Sequence, residues 1–211
     1  MKPSKQTGGV EPTAGCPVQA PDPVWHSRGY LPHFEAGEVA QHIIFRLADS
    51  LPRRMIAELA AQLPQLPASD AELERRKRTE TALDASNGAC WLRQPEVAQI
   101  VEGALLYFDG DRYRLHAWTV MPNHVHVLVT PVGANTLSGI VHSWKSYTAN
   151  KVNRLVGATG EFWQAEYCDR AIRDETHFAA AVLYIAANPV KAALCADPVD
   201  WPFGSARLHC R

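Results

Sequence analysis

The stretch Met121-Pro122-Asn123-His124-Val125-His126-Val127-Leu128-Val129 carries the sharpest chemical signal in the chain. On a β-strand, residues i and i+2 point the same way. His124 and His126 therefore project together, while Val125, Val127 and Val129 face the opposite side. Two neutral imidazoles on one face can chelate a metal ion at about 2.0–2.2 Å. A strand with two polar residues on its wet side has the same spacing and no chemistry.

The segment that follows reads as a helix with an apolar stripe of Leu137, Ile140, Val141, Trp144, Thr148, Val152 and Leu155. Tyr147 lies at the edge of that stripe. Lys151 and Arg154, four and seven residues on, share its flank, with Asn150 nearby. A phenol near pKa 10 is mostly protonated at neutral pH, and adjacent cations favour its ionised form and bind phosphate oxygens. A metal on the two histidines would polarise a scissile phosphate. Together these are the parts of a nucleophilic phosphoryl transferase. The plainer account is an amphipathic tyrosine beside a snorkelling lysine. Tyr167, in a loop-like run after Trp163, is the rival nucleophile.

These residues need a scaffold. Residues 1–28 are Pro-rich and read as a disordered leader, order beginning near Trp25–Tyr30. Glu38–Leu47 reads as a strand, with Val39, Ile43, Phe45 and Leu47 on one side and His42 and Arg46 on the other. A helix over 50–63 starts with Pro52 in its first turn. Ser69-Asp70-Ala71-Glu72 is a capping box that opens a charged helix to about Ala85. Asn87-Gly88 is a turn, Pro95 opens an amphipathic helix to about Phe108, and Asp109-Gly110-Asp111 is a turn. Arg112–Met121 and His124–Thr130 are strands joined as a hairpin through Pro122-Asn123. Asn135–Val156 is a long helix closed by Gly157, and Cys168–Arg173 a short extended piece. Thr176–Ala187 is a helix that Asn188-Pro189 breaks, with a brief resumption over Val190–Leu194. The order βαββαβ predicts an α+β sandwich with an antiparallel sheet of the ferredoxin-like kind. It forms a single domain over residues 29–205, followed by a tail over 206–211.

The 211 residues carry 21 Lys+Arg against 22 Asp+Glu, a net charge of −1, so any nucleic-acid binding must use a local patch. The five cysteines are odd in number and scattered, which fits neither a disulfide framework nor a zinc knuckle and makes a reducing cytoplasm the natural compartment. No apolar run is long enough to span a membrane.

HVH at 124–126, after MPN at 121–123, resembles the His-hydrophobic-His (HUH) motif of single-tyrosine transposases. The nearest group is the REP-associated tyrosine transposases (RAYT), of the insertion-sequence-200 type. The likeness also rests on RGYLPHF at 28–34, FRLADSLP at 45–52, HAWTVMPNHVHVLVTP at 116–131, HSWKSYTANKVNR at 142–154, GEFWQAEYCDR at 160–170 and YIAANPVKAAL at 184–194. It implies the HUH endonuclease fold, with His124 and His126 holding a divalent metal, magnesium or manganese, against one phosphate of single-stranded DNA. Tyr147 would attack that phosphate, form a 5′-phosphotyrosine link and release a 3′-hydroxyl, and a DNA 3′-hydroxyl would then rejoin the strand. The implied substrates are short palindromes folded as hairpins, with the enzyme acting as a monomer or homodimer.

Two positions depart from the family pattern. Some relatives place a third metal ligand one turn after the tyrosine; here that position is Lys151, no ligand while protonated, so Asn150, water or DNA is left to fill it. Phe203-Gly204-Ser205 stands where relatives often show Trp-Ser-Ser. Phosphate contacts are expected from Lys145, Lys151, Arg154 and Arg114, with Asn150 beside them and Arg112, Arg170 and Arg173 near by. Trp144 sits mid-stripe and reads as core, and no stacking on bases is assigned to Trp118 or Trp163. Two other readings compete: a single-stranded nucleic-acid-binding module, which needs exposed aromatics on the sheet, and a metal nuclease that uses water and needs no tyrosine.

Overall fold

A computed structural model describes residues 24–27, 32–35, 37–51, 54, 57, 61 and 68–208. The helix expected over 50–63 lies almost wholly outside the described residues, as does the leader up to residue 23. Val24–Ser27 (β1), inside the stretch read as leader, pairs antiparallel with Pro32–Glu35 (β2) as a separate two-stranded sheet.

Among the described residues the main sheet has four strands: Gln41–Arg46 (β3), Tyr113–Val120 (β4), His124–Pro131 (β5) and Cys168–Ala171 (β6). Their order is β4-β5-β3-β6, and every neighbouring pair is antiparallel. Counted along the chain this is 2-3-1-4, the ferredoxin-like arrangement expected from βαββαβ. The helices described along their whole length are Ala68–Asp84 (α1), Pro95–Leu106 (α2), Leu137–Val156 (α3) and Glu175–Lys191 (α4).

Strand alternation divides the sheet into two faces. Ile43, Phe45, Val125, Val127 and Val129 pack with Val97, Val101 and Leu105 of α2 and with Ile140, Val141, Trp144 and Val152 of α3. The opposite face bears His42, Ile44, His124, His126 and Leu128. It is covered by α4, through Ala181 and Ile185 on Leu128, and by α1, through Ala82 and Leu83 against Ile44. A register shift between Leu115 and Ala117 makes His116 a bulge. The extra residue swaps parity, so that Trp118 and Val120 join the α2/α3 core while Ala117 and Thr119 turn to the histidine face.

The ends of α3 follow its sequence. Thr136 accepts a hydrogen bond from the Gly139 N–H at 3.2 Å, and Gly157, at φ 65°, closes the helix in the left-handed region. The helix α4 corrects an expectation: Asn188-Pro189 does not break it. Pro189 lacks the N–H that would donate to the Ile185 carbonyl, so one ladder bond is lost, yet the helix runs on to Lys191. The Asn188 side chain donates to the Tyr184 carbonyl at 2.9 Å, and Ala192 N–H closes onto the Asn188 carbonyl at 3.0 Å. The continuous helix puts Tyr184, Asn188 and Lys191 on one face, at i, i+4 and i+7.

Phe203-Gly204-Ser205 lies along β4. Val120 N–H donates to the Phe203 carbonyl at 2.8 Å and Trp118 N–H to Ser205 Oγ at 3.1 Å, which protects a sheet edge. Order continues past residue 205, because Arg207 forms two bonds, 2.8 and 3.0 Å, to the Glu102 carboxylate. Among the described residues no helix is long and apolar enough to cross a membrane.

Candidate active site

His124 and His126 are each 1% exposed, enclosed between the sheet, α1 and α4 rather than on a wet strand face. Their Nε2 atoms are 3.0 Å apart. The orientation of His124 is fixed from behind. Asn123 Nδ2 donates to the Asn87 carbonyl at 3.0 Å, so its oxygen points the other way and accepts from His124 Nδ1–H at 2.7 Å. A neutral imidazole with its proton on Nδ1 presents a lone pair at Nε2. His126 Nδ1 lies 3.1 Å from His42 Nε2, in a nearly coplanar pair of rings. Donation from His126 to His42 would expose a second lone pair at His126 Nε2.

Burial pushes the His124 imidazole down to about 3 and holds His126 well below its ordinary range, with the neighbouring His124, His42 and Lys191 adding to the effect on His126. Both rings are neutral donors at pH 7. The 4.0 Å approach of Asp84 Oδ1 to His124 Nε2 is therefore no ion pair. The shifts also predict how stability depends on pH. The unfolded imidazoles titrate near 6.5, so below that pH the unfolded chain binds protons that the folded chain refuses. Stability is full above about 6.5 and falls as the pH drops toward 3, with a slope approaching ~1.4 kcal/mol per pH unit for each histidine. Thermal melts from pH 7 to pH 4 should show the decline, and His124→Gln should make it shallower.

The donor set fits a divalent ion. Two nitrogens about 2.1 Å from one ion and at a right angle are about 3.0 Å apart, which is the separation seen. Thr119 stands directly across from His126 on β4, and its buried hydroxyl has no partner among the described residues, as expected where a polar guest belongs. No group of three His, Cys, Asp or Glu among the described residues is close enough to hold an ion alone. The remaining positions fall to an amide, water or substrate.

The tyrosine brought to the histidines is Tyr184. Its ring centroid is 5.8 Å from those of both His126 and His42. Its hydroxyl donates to Glu80 Oε2 of α1 at 2.8 Å, and Lys191 Nζ sits 3.9 Å from the ring centroid. Burial and the Glu80 and Asp84 carboxylates push the phenol well above its ordinary range. Asn188, one turn on, is 1% exposed.

Tyr147 is elsewhere. Its helix packs on the valine face, away from the histidines, and its side chain is 52% exposed. Asn150, Lys151 and Arg154 are exposed on the same helix, Asn150 donating to the Ser146 carbonyl. Lys145 donates to the carbonyls of Gln164 and Ala165 at 2.7 and 2.6 Å, which ties down the loop before β6. Arg114 is exposed opposite Glu38 at 4.0 Å. Tyr167, Trp118, Trp144 and Trp163 are buried in the α2/α3 core. The sequence reading passed over Tyr184, His42, Glu80 and Asp84. The available signal was Tyr184-x-x-x-Asn188-x-x-Lys191, hidden by reading Asn188-Pro189 as a break.

The turn behind the site offers a test. Gly88 has φ +85°, and a Cβ there would meet the Asp49 carbonyl oxygen at 2.7 Å. Ala89 N–H is meanwhile tied to Asp49 Oδ2 at 2.7 Å. Gly88→Ala should cost about 1–3 kcal/mol from backbone strain, read by denaturant unfolding, and should loosen the Asn87 carbonyl that orients Asn123.

Residues 96–188 match the family of IS200-like transposases, a segment that includes both histidines and Tyr184. The chain is 30% identical over 111 residues to the REP-associated tyrosine transposase of Escherichia coli (strain K12), over 51% of this chain and 63% of that protein. It thus spans less than two thirds of that relative's length. The solved structure of a REP-associated tyrosine transposase bound to a REP hairpin overlays with a TM-score of 0.57 at 20% identity, over 85% of this chain and 84% of the other, and shares its fold. Residues 96–188 are thus similar to IS200-like transposases, and REP-associated tyrosine transposases are among the proteins that the chain resembles.

Proposed function

We propose that this protein is a metal-dependent single-strand DNA transesterase of the transposase type, in which Tyr184 attacks a backbone phosphate to give a 5′-phosphotyrosine link and a free 3′-hydroxyl. The observation that carries the reading is the meeting of His124, His126 and Tyr184 in one enclosed site, with Asn188 and Lys191 on the same helical face as the tyrosine. The implied third ligand, one turn after the tyrosine, falls on Lys151 if the nucleophile is Tyr147. It falls on Asn188, whose carbonyl oxygen can coordinate, if the nucleophile is Tyr184.

The residues divide the work. His124, oriented by Asn123, and His126, backed by His42, would hold magnesium or manganese, with Asn188 as a further donor. When bound, the ion polarises the scissile phosphate and offsets its charge. Lys191 supplies a fixed cation beside the phenol, the part first assigned to Lys151. The Tyr184 ring is locked between the sheet and α1, so its oxygen is held in place before substrate arrives. The protein would act as a monomer or homodimer. The substrate class that suits such a site is a hairpin with a single-stranded flank, like the REP hairpin in the related structure's complex. A binding module with stacking aromatics is disfavoured, because the histidine face is closed by two helices.

The test is incubation with labelled single-stranded hairpin DNA, drawn from palindromes near the gene, and magnesium or manganese. A denaturation-resistant protein–DNA adduct supports the reading. Cleavage with no adduct at any time would replace it with a water-using nuclease.

A further inference from the structure

The Tyr184 hydroxyl must lose its proton as it bonds to phosphorus, and neither histidine is free to take it if both hold an ion. One carboxylate touches that hydroxyl: Glu80 Oε2, at 2.8 Å. Glu80 lies on α1, outside the segment matched to the transposase family. The helix α1 is strongly polar, yet its C-terminal turns are pressed onto the histidine face by Ala82 and Leu83, which fixes where Glu80 points. Nearby charges are Asp84, four residues on, and Lys191, whose Nζ lies over the face of the tyrosine ring.

We propose that Glu80 is the general base for the tyrosine, an inference that rests on Tyr184 being the nucleophile. As Tyr184 Oη bonds to phosphorus, the bond from phosphorus to the 3′-oxygen breaks. The phenol's proton passes to Glu80 Oε2, and the leaving 3′-oxygen takes a proton from water. In rejoining, the attacking 3′-hydroxyl gives its proton to water, and Glu80 returns its proton to the departing phenolate. The hydrogen bond of the resting state is the path of the transfer, so no group has to move to begin it.

The experiment measures single-turnover adduct formation on hairpin DNA with manganese for the wild type, Glu80→Gln, Glu80→Ala and Tyr184→Phe, with melting temperatures and hairpin affinity alongside. Glu80→Gln keeps the shape and a hydrogen-bond acceptor, so it should fold and bind DNA normally. Its adduct should form about 10²–10⁴-fold more slowly, the usual range for a lost general base. Added acetate should restore part of the rate to Glu80→Ala, saturably, which a structural role would not allow. An unchanged rate in Glu80→Gln overturns the inference. A faster rate overturns it too, and would mean that the carboxylate occupies the phosphate's place in the resting enzyme. A slow Glu80→Ala that acetate does not help also overturns it. Adduct formed by Tyr184→Phe would instead overturn the choice of nucleophile.

Discussion

Tyr184→Phe should abolish covalent adduct formation, by about 10³-fold or more, while Tyr147→Phe should leave it within a few-fold of the wild type. The contrast follows from the two faces of the sheet. Tyr184 reaches the His126 ring from α4, whereas Tyr147 projects to solvent from a helix packed on the valines. Removing one oxygen deletes the proposed nucleophile and its hydrogen bond to Glu80, and leaves the ring to fill its place. The variant should fold and still bind the hairpin, so the loss belongs to the chemical step. A ~10³-fold loss corresponds to about 4 kcal/mol of barrier. Denaturing gels with end-labelled DNA measure both variants.

The second large effect concerns the histidines. His126→Ala should weaken manganese binding by at least about 100-fold and stop cleavage, because one of the two nitrogen donors is lost, a larger change than the roughly 10–100-fold cost of an outer partner. Asn123→Ala should fall between this variant and the wild type, losing about 10–100-fold in affinity. It keeps both ligands but frees His124 to put its proton on Nε2, where the lone pair is needed. Calorimetry or the paramagnetic signal of free manganese gives the order. Equal affinity in Asn123→Ala and the wild type would show that the amide does not orient the ring.

Much of the scaffold was legible because local signals agreed. The alternation through β5, the Thr136 cap and Gly157 stop of α3, and the strand–helix order led to the sheet and its topology. The paired orientation of His124 and His126 followed from strand period alone. Their burial did not, because it depends on which helices return to cover that face. Tyr147 drew attention through neighbouring cations at helical spacing, a pattern any solvated flank shows. The site instead joins residues far apart in the chain, with His42 on β3, Glu80 on α1, His126 on β5 and Tyr184 on α4. Sequence spacing carries no such information. The proline rule misled at Pro189, where the helix forgoes one ladder bond and still runs on to Lys191.

The most direct test is to locate the covalent bond. The wild-type protein, trapped on hairpin DNA with manganese, is digested with protease and nuclease, and the nucleotide-bearing peptide is sequenced by mass spectrometry. The phosphate should be found on Tyr184, within the YIAANPVK stretch. A modified peptide carrying Tyr147 or Tyr167 would contradict the site described here.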